Sequence, residues 1–373
     1  MNAREAVKAI GQDDPARERI PPSAPAACAE PRRLLIVKLT SVGDVLHAFP
    51  AVSAIRRRFP DAHLAWLVDY RAADVVALSP DVDERMVLGE APARGSFEAP
   101  TSGAHWQALR QVRAGRFDLV VDMQGLLKSA VFTYCSGARC RVGFGDARIG
   151  NRWATNAKLP ILPRPIHATQ AYCEFARFLG AEPVADEFRI RVPDEFARAA
   201  EGLLEEAANL GGNGLAAIVP GSAWPSKRWP PEHFAELAAR LAGERDMGII
   251  LLGHSGEAQA ADLIAARCPK KALSLAGRTT LGQAIAVAGR CQLVVGGDTG
   301  LVQIAAAMGV PTVAIYGPTD PALTGPVGPR VSIVQRRVDC WPCRERRCEH
   351  WECMRDLEPE AVYEAVEELA PGQ

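Results

Sequence analysis

LLIVKLTSVGDVLHAFPAVSAI, residues 34–55, decides the fold class. Leu34-Leu35-Ile36-Val37 is a short apolar run of strand type, while Val45, Leu46, Phe49, Val52 and Ile55 recur at helical spacing. Strand, loop and helix in that order make one βα unit. Its turn, Lys38 to Asp44, lies where open α/β sheets bind ligands, outside the carboxyl end of a strand. Gly43 lets a backbone approach a ligand closely, and Asp44 falls at the start of a helix. There a carboxylate serves either as a helix cap, which Asp commonly does, or as a general base facing a ligand.

The same alternation continues outward. Strands are expected at Leu64 to Val68 and Leu119 to Val121, with helices at Trp106 to Arg113 and Gly125 to Tyr134. A second series follows: strands Leu215 to Val219, Gly248 to Leu252, Leu293 to Val295 and Thr312 to Tyr316, with helices His233 to Ala242, Leu281 to Ala288 and Gly300 to Met308. Strands separated by helices imply parallel sheets covered on both faces. The pattern lapses into charged helical sequence over 182–213 and stops at Gly211-Gly212-Asn213-Gly214, which marks the domain junction. The fold expected is therefore α/β, with two Rossmann-like domains facing one another across a central cleft: 32–190, a linker 191–213, and 214–338.

At 373 residues the chain is long enough for two ordinary domains. Residues 1–31 mix proline, alanine and alternating charge without apolar periodicity and read as a disordered extension. No apolar run reaches the ~18 residues of a membrane span, and the first thirty residues lack the apolar core of a signal peptide, so a cytoplasmic chain is expected. A net charge of −1 gives no global attraction to nucleic acid. Charge is nonetheless uneven: residues 110–164 carry ten basic side chains against three acidic ones, either a face for a polyanion or a solvated surface.

Two loops of the second series carry further chemistry. In Pro220-Gly221-Ser222-Ala223-Trp224-Pro225-Ser226-Lys227-Arg228-Trp229, a Lys-Arg pair between two tryptophans suits phosphate, lysine as a point charge and arginine as a fork; an ordinary solvated loop is the alternative. In Val294 to Leu301, a strand ends in Gly296-Gly297 and Asp298-Thr299-Gly300 opens a helix, a start that offers free N–H groups to an anion unless Asp298 or Thr299 caps it. Neither GxGxxG nor a P-loop occurs, which argues against dinucleotide enzymes and NTPases.

Of ten cysteines, Cys28, Cys135, Cys140, Cys173, Cys268 and Cys291 are scattered and expected as small buried apolar groups without disulfides. The other four, Cys340, Cys343, Cys348 and Cys353, cluster in an insertion spanning 339–355. Four thiols at these spacings, with His350 as a spare donor, suit one structural Zn²⁺ or iron, or else stand as unligated, oxidisable thiols.

With these segments in hand, the chain resembles the ADP-heptose:lipopolysaccharide heptosyltransferases of glycosyltransferase family 9 from about Leu34 to Leu369. The markers are VKLTSVGDVLHAFPAV (37–52), DMQGLLKSA (122–130), SKRWPPEHFAEL (226–237), GDTGLVQIAAAMGVPTVAIYGPTDP (297–321) and the CWPC to CM run (340–354). Within the family, SVGDVLH and QGLLKSA look most like the members that act on Kdo-bearing lipid A. The resemblance implies a GT-B fold with an N-terminal acceptor domain, a C-terminal nucleotide-sugar domain, and a last helix, within 356–373, that packs back on the first domain. It implies Asp44 as the catalytic base, with Ser41, Gly43, Gln124 and Lys128 on the acceptor side. Ser222, Lys227, Arg228, Glu257, Asp298, Thr299, Gly300 and Gln303 fall on the donor side, Glu257 at the ribose. Family members commonly carry histidine where this chain has Gln303. The implied partners are ADP-heptose and a Kdo-bearing lipid A acceptor, with no nucleic acid, no catalytic cofactor, and peripheral contact at the cytoplasmic face of the inner membrane.

Overall fold

The computed structural model describes residues 24–89, 102–146 and 150–370. The chain divides between Arg191 and Val192 into two compact units.

The first unit is built on a parallel sheet of β1 (Arg33–Val37), β2 (His63–Asp69), β3 (Glu84–Leu88), β4 (Leu119–Asp122), β5 (Cys140–Gly143) and β6 (Ala157–Lys158), in the order β3-β2-β1-β4-β5-β6. Its helices are α1 (Val42–His47), α2 (Phe49–Arg58), α3 (Ser102–Ala114), α4 (Leu127–Cys135) and α5 (Ala168–Phe178), with short turns of helix at Ala73–Val76 and Asn151–Ala154. Leu34 to Val37 and Leu119 to Val121 are fully buried, as central parallel strands covered on both faces must be. Leu35, Val37 and Val120 pack with Ala108 and Val112 of α3 and Phe132 of α4.

The second unit repeats the plan. Strands β7 (Leu215–Val219), β8 (Gly248–Leu251), β9 (Ala272–Ser274), β10 (Leu293–Gly297), β11 (Thr312–Tyr316) and β12 (Val331–Gln335) run β12-β11-β10-β7-β8-β9. Counted from its own first strand, this is the same order as in the first sheet. Helices α6 (Asp194–Ala208), α7 (Pro231–Glu244), α8 (Ala258–Ala266), α9 (Leu281–Ala288), α10 (Gly300–Ala307) and α11 (Pro359–Leu369) join it, with short turns of helix at Pro321–Thr324 and Glu352–Arg355. In each sheet the strand order reverses at one crevice, between β1 and β4 and between β7 and β10, and loops there diverge to leave room for a ligand.

Several expectations are corrected. Residues 191–213 are no linker: most of the segment is α6, which packs along α9 of the second unit. Val362, Tyr363, Ala365 and Val366 of α11 join the core of the second unit with Trp229, Phe234 and Leu237. The apolar face of that last helix is thus part of the core of the second unit. Ala24 to Glu30, expected in the disordered extension, lie against the first unit, with Ala24 N–H donating to Phe178 O at 3.1 Å. This strap carries Cys28 to Cys140 at the start of β5, where the two form a disulfide, against the expectation of unpaired thiols. The edge strands β3, β6, β9 and β12 were not expected. They are short or half-exposed, with burial such as that of Glu84–Leu88 too mixed for an apolar run.

Candidate active site

At the first crevice, Ser41 precedes α1 and Asp44 stands on its first turn. The Asp44 carboxylate accepts the Ser41 backbone N–H at 3.2 Å and its hydroxyl at 3.0 Å. Capping is therefore realised, and it leaves the rest of the carboxylate for other work. Lys38, only 3% exposed at the end of β1, and Tyr172 of α5, 7% exposed, close the site from below, with Lys38 Nζ 5.0 Å from the Tyr172 ring centroid. Burial pushes the Asp44 carboxyl up, but the Lys38 charge, the Ser41 hydrogen bonds and His47 outweigh it and hold the group below the usual carboxylate range. Lys38 is likewise held below its ordinary value: burial lowers it, against the charges of Asp44 and Asp122. Burial first, then the charge and hydrogen bond of Asp44, lift the Tyr172 phenol well above its ordinary value. An ionised, partly desolvated carboxylate with a buried cation beside it is equipped to take a proton from a hydroxyl.

Gln124 ties this loop to the neighbouring one across the strand-order reversal: its Oε1 accepts the N–H groups of Leu39 and Thr40 at 3.0 and 3.1 Å. Its role in the structure is to fix the Asp44 loop. Gly125, at φ +67°, makes the turn into α4. Beneath it, the fully buried Asp122 accepts N–H bonds from Gln124 and Gly125, the Thr133 hydroxyl at 2.9 Å and the Asn151 amide at 2.5 Å. Lys128 is half-exposed and reaches Asp69 Oδ2 at 3.4 Å.

At the second crevice, Asp298 organises the turn. Its carboxylate accepts Lys227 Nζ at 2.5 Å, the Thr319 hydroxyl at 2.9 Å, the Tyr316 hydroxyl at 3.2 Å and Gln303 Nε2 at 3.5 Å. So many donors leave it a scaffold for Lys227 more than a ligand for an anion it would repel. Ser222 Oγ donates to Asp298 O at 3.1 Å, and Arg228 Nε to Ser222 O at 3.0 Å, with the rest of the Arg228 side chain exposed. Thr299 takes the cap position of α10 without a side-chain cap bond, so the first N–H groups of that helix are left to an anion, which capping would have precluded. Gln303 is 6% exposed; its amide also donates to Thr324 O at 3.0 Å, while its buried Oε1 has no hydrogen-bond partner among the described residues.

Glu257 enters the same crevice from the loop after β8. It accepts the His254 N–H at 2.9 Å and lies so close to two glycines that an ideal Cβ on Gly221 would fall 1.6 Å from its Oε1, and one on Gly253 2.5 Å from its Oε2. Only residues without a Cβ admit the carboxylate there. Trp224 faces Lys227 Nζ, 4.2 Å from the ring centroid, but Trp229 does not flank the pair as expected. It is a core residue, 1% exposed, whose indole N–H donates to Leu357 O.

The cysteine-rich segment is a strap over this crevice. Ser226 Oγ donates to Glu345 O, Arg344 N–H to Pro318 O at 3.0 Å and the Trp341 indole to Thr319 O at 3.4 Å, and Arg346 lies 5.3 Å from the Trp224 ring centroid. A metal centre is not supported. Cys340 is exposed, Cys353 is buried, Cys348 Sγ accepts the Trp351 N–H at 3.3 Å, and among the described residues no three His, Cys, Asp or Glu side chains group to hold an ion.

Sequence reasoning missed Tyr172, Tyr316, Thr319 and Arg346. Each comes from a distant segment, and the only local signal was PTD at 318–320, directly after a predicted strand.

Comparisons with known proteins bear on the family and the fold. Residues 104–353 match the family described as Glycosyltransferase family 9 (heptosyltransferase). The chain is 30% identical over 330 residues to lipopolysaccharide heptosyltransferase 1 of Pseudomonas aeruginosa, covering 85% of this chain and 87% of that one. Among solved structures it is similar to a family 9 glycosyl transferase from Veillonella parvula, with TM-score 0.77, 21% identity and coverage of 91% and 97%. It is also similar to the Escherichia coli heptosyltransferase WaaC with ADP, with TM-score 0.69, 26% identity and coverage of 91% and 100%.

Proposed function

This chain belongs to glycosyltransferase family 9, the heptosyltransferases, and from that premise we propose that it moves heptose, with inversion, from ADP-heptose to the Kdo-bearing inner core of lipopolysaccharide, using Asp44 as the base. Its two α/β units are those of a GT-B glycosyltransferase. The observation that carries the residue assignment is that both clusters occupy the strand-order reversals of their sheets, one with a poised carboxylate and the other with cations and an uncapped helix start.

The acceptor hydroxyl gives its proton to Asp44 as its oxygen bonds the anomeric carbon, and the bond from that carbon to the ADP oxygen breaks. Lys38 keeps Asp44 ionised until then. Charge grows on the departing diphosphate, where Lys227 Nζ, with three N–H donors, serves both Asp298 and a phosphate oxygen. Arg228 and the first N–H groups of α10 add to this. Glu257 accepts the ribose hydroxyls, and Gln303 Oε1 takes a hydroxyl of the sugar. Ser41 and Gly43 shape the acceptor side, with Gln124 fixing the loop and Lys128 free to turn from Asp69 to an acidic sugar. With the diphosphate neutralised by protein groups, transfer needs no metal ion. Among the described residues no helix is long and apolar enough to cross a membrane, and the enzyme meets its lipid-borne acceptor from the cytoplasmic side as a peripheral protein.

The test is ADP release from ADP-heptose with and without Kdo-bearing lipid A, in the presence and absence of EDTA. Acceptor-dependent release that survives the chelator supports the assignment. Release without acceptor dependence refutes heptosyl transfer to this acceptor, and loss on chelation refutes the metal-free mechanism.

A further inference from the structure

Seven of the ten exposed large apolar side chains among the described residues fall between Trp106 and Ile161. They are not scattered. Leu127, Val131 and Tyr134, exposed at 65%, 42% and 65%, stand at i, i+4 and i+7 and so form one outward stripe along α4. On α3, which packs beside α4, Trp106, Arg110 and Arg113 have the same spacing and are exposed. The Arg113 guanidinium lies over Gly137, where an ideal Cβ would meet it, and points at Ser136 O, so this cation sits at the end of α4 next to Tyr134. At the other end, the Leu127 side chain covers Gly150, which leads into the turn of helix bearing Arg152 and Trp153, the latter 76% exposed. An apolar band therefore runs across two neighbouring helices and a turn, with arginines at its margins.

We propose that this face of the first unit docks on an anionic lipid surface, Trp106, the α4 stripe and Trp153 entering the headgroup region while Arg110, Arg113 and Arg152 meet lipid phosphates. The proposal rests on the assignment of a lipid-borne acceptor. Exposed tryptophan and tyrosine with arginine is the composition of a side chain set that sits at a lipid interface, apolar body inward and polar end wet. Charge selects between the two occupants an apolar band admits. In a two-fold dimer the patch would face its own arginines, a like-charge contact, whereas acidic headgroups complement them. Position agrees: α4 starts two residues after the Gln124-Gly125 turn that fixes the Asp44 loop, so the band begins beside the acceptor site.

Sedimentation of the full chain with vesicles tests this. Phosphatidylcholine vesicles are used alone and with phosphatidylglycerol, and heptose transfer is followed in parallel to acylated acceptor in those vesicles and to deacylated, water-soluble acceptor. Wild-type protein is expected to bind only the anionic vesicles. Arg110→Gln with Arg152→Gln should lower that partitioning by roughly tenfold or more, from about fivefold per cation, and Val131→Ser with Tyr134→Ser should do the same. Transfer to deacylated acceptor should keep its wild-type rate in both variants while transfer to acylated acceptor falls. Wild-type protein that stays in solution with anionic vesicles while still modifying deacylated acceptor overturns the docking face and leaves the function standing. So does a solution dimer that the Val131/Tyr134 variant disperses. Vesicle binding without transfer to either acceptor supports the face and refutes the function.

Discussion

Lys227 Nζ lies 2.5 Å from Asp298 Oδ2, and the two side chains are only 15% and 8% exposed. The pair joins the loop after β7 to the loop after β10, and on the mechanism above it presents a cation to the donor while a carboxylate holds that cation in place. Lys227→Ala should lower kcat/KM for the donor by about 10²–10³, the cost of losing one group that stabilises developing charge. Asp298→Ala should lower it too, but by misplacing Lys227, and it should also destabilise the fold by about 3 kcal/mol because a shielded charge loses its partner. Steady-state kinetics beside thermal unfolding separates the two: Lys227→Ala leaves the Asp298 carboxylate its Thr319, Tyr316 and Gln303 donors and should lose less stability than Asp298→Ala.

Asp44 both caps α1 and, on the mechanism above, accepts the proton. The two roles are separable by substitution. Asp44→Asn retains an oxygen for the Ser41 N–H but cannot serve as a base, so kcat should fall by about 10²–10⁴ with folding intact. Ser41→Ala removes the hydroxyl that donates to the Asp44 carboxylate and should cost about 1 kcal/mol of stability with a small change in rate. An Asp44→Asn effect under tenfold would return the carboxylate to capping alone.

On the same mechanism, Lys38 is expected to set the pH range of the base. With the Asp44 carboxyl held below its ordinary value, the acid limb of kcat/KM should lie below the usual carboxylate range, so activity persists from neutral pH down toward it. Lys38→Met removes the largest opposing cause and leaves burial, which favours the neutral acid. The acid limb should then move to higher pH. A pH–rate profile of the variant that superimposes on the wild type in its acid limb would remove Lys38 from this role.

Gly221 leaves room for Glu257. Gly221→Ala brings a methyl group to a point now 1.6 Å from Glu257 Oε1, so the carboxylate must move. ADP affinity, measured by titration calorimetry, should fall by about tenfold as a charged hydrogen bond to the ribose is lost. Overpacking should also cost about 1–3 kcal/mol of stability. Unchanged ADP binding in a folded variant would show that Glu257 does not hold the nucleotide.

Much of the second site was legible because its residues lie in two short stretches, 220–229 and 297–303, that directly follow predicted strands. Lys227, Asp298 and Gly300 could be named from composition and position. Their division of labour could not. Asp298 reads as an anion-site residue until Thr319 and Tyr316, brought by β11 and the loop after it, are seen to fill its carboxylate. Trp229 reads like Trp224, yet one is core and the other faces Lys227, and only the packing of α7 and α11 distinguishes them. Spacing left the four cysteines either as ligands of one ion or as unligated thiols; no metal-holding group forms among the described residues, and hydrogen bonds from Ser226 and to Pro318 show a strap fastened over the 220–229 loop.

The α/β class, the repeat of one βα plan in two series, and the positions of the Asp44 and Asp298 turns were determined by the sequence itself, because apolar periodicity and turn residues act over a few neighbouring residues. Tertiary structure decided the rest: the Cys28–Cys140 pairing, the allegiance of α11 to the second unit, the Lys38 and Tyr172 environment of Asp44, and the apolar band on α3 and α4. Parallel sheets bring together loops and helices tens of residues apart. Which side chains then share a crevice, and which are left facing outward, depends on packing that no local pattern encodes.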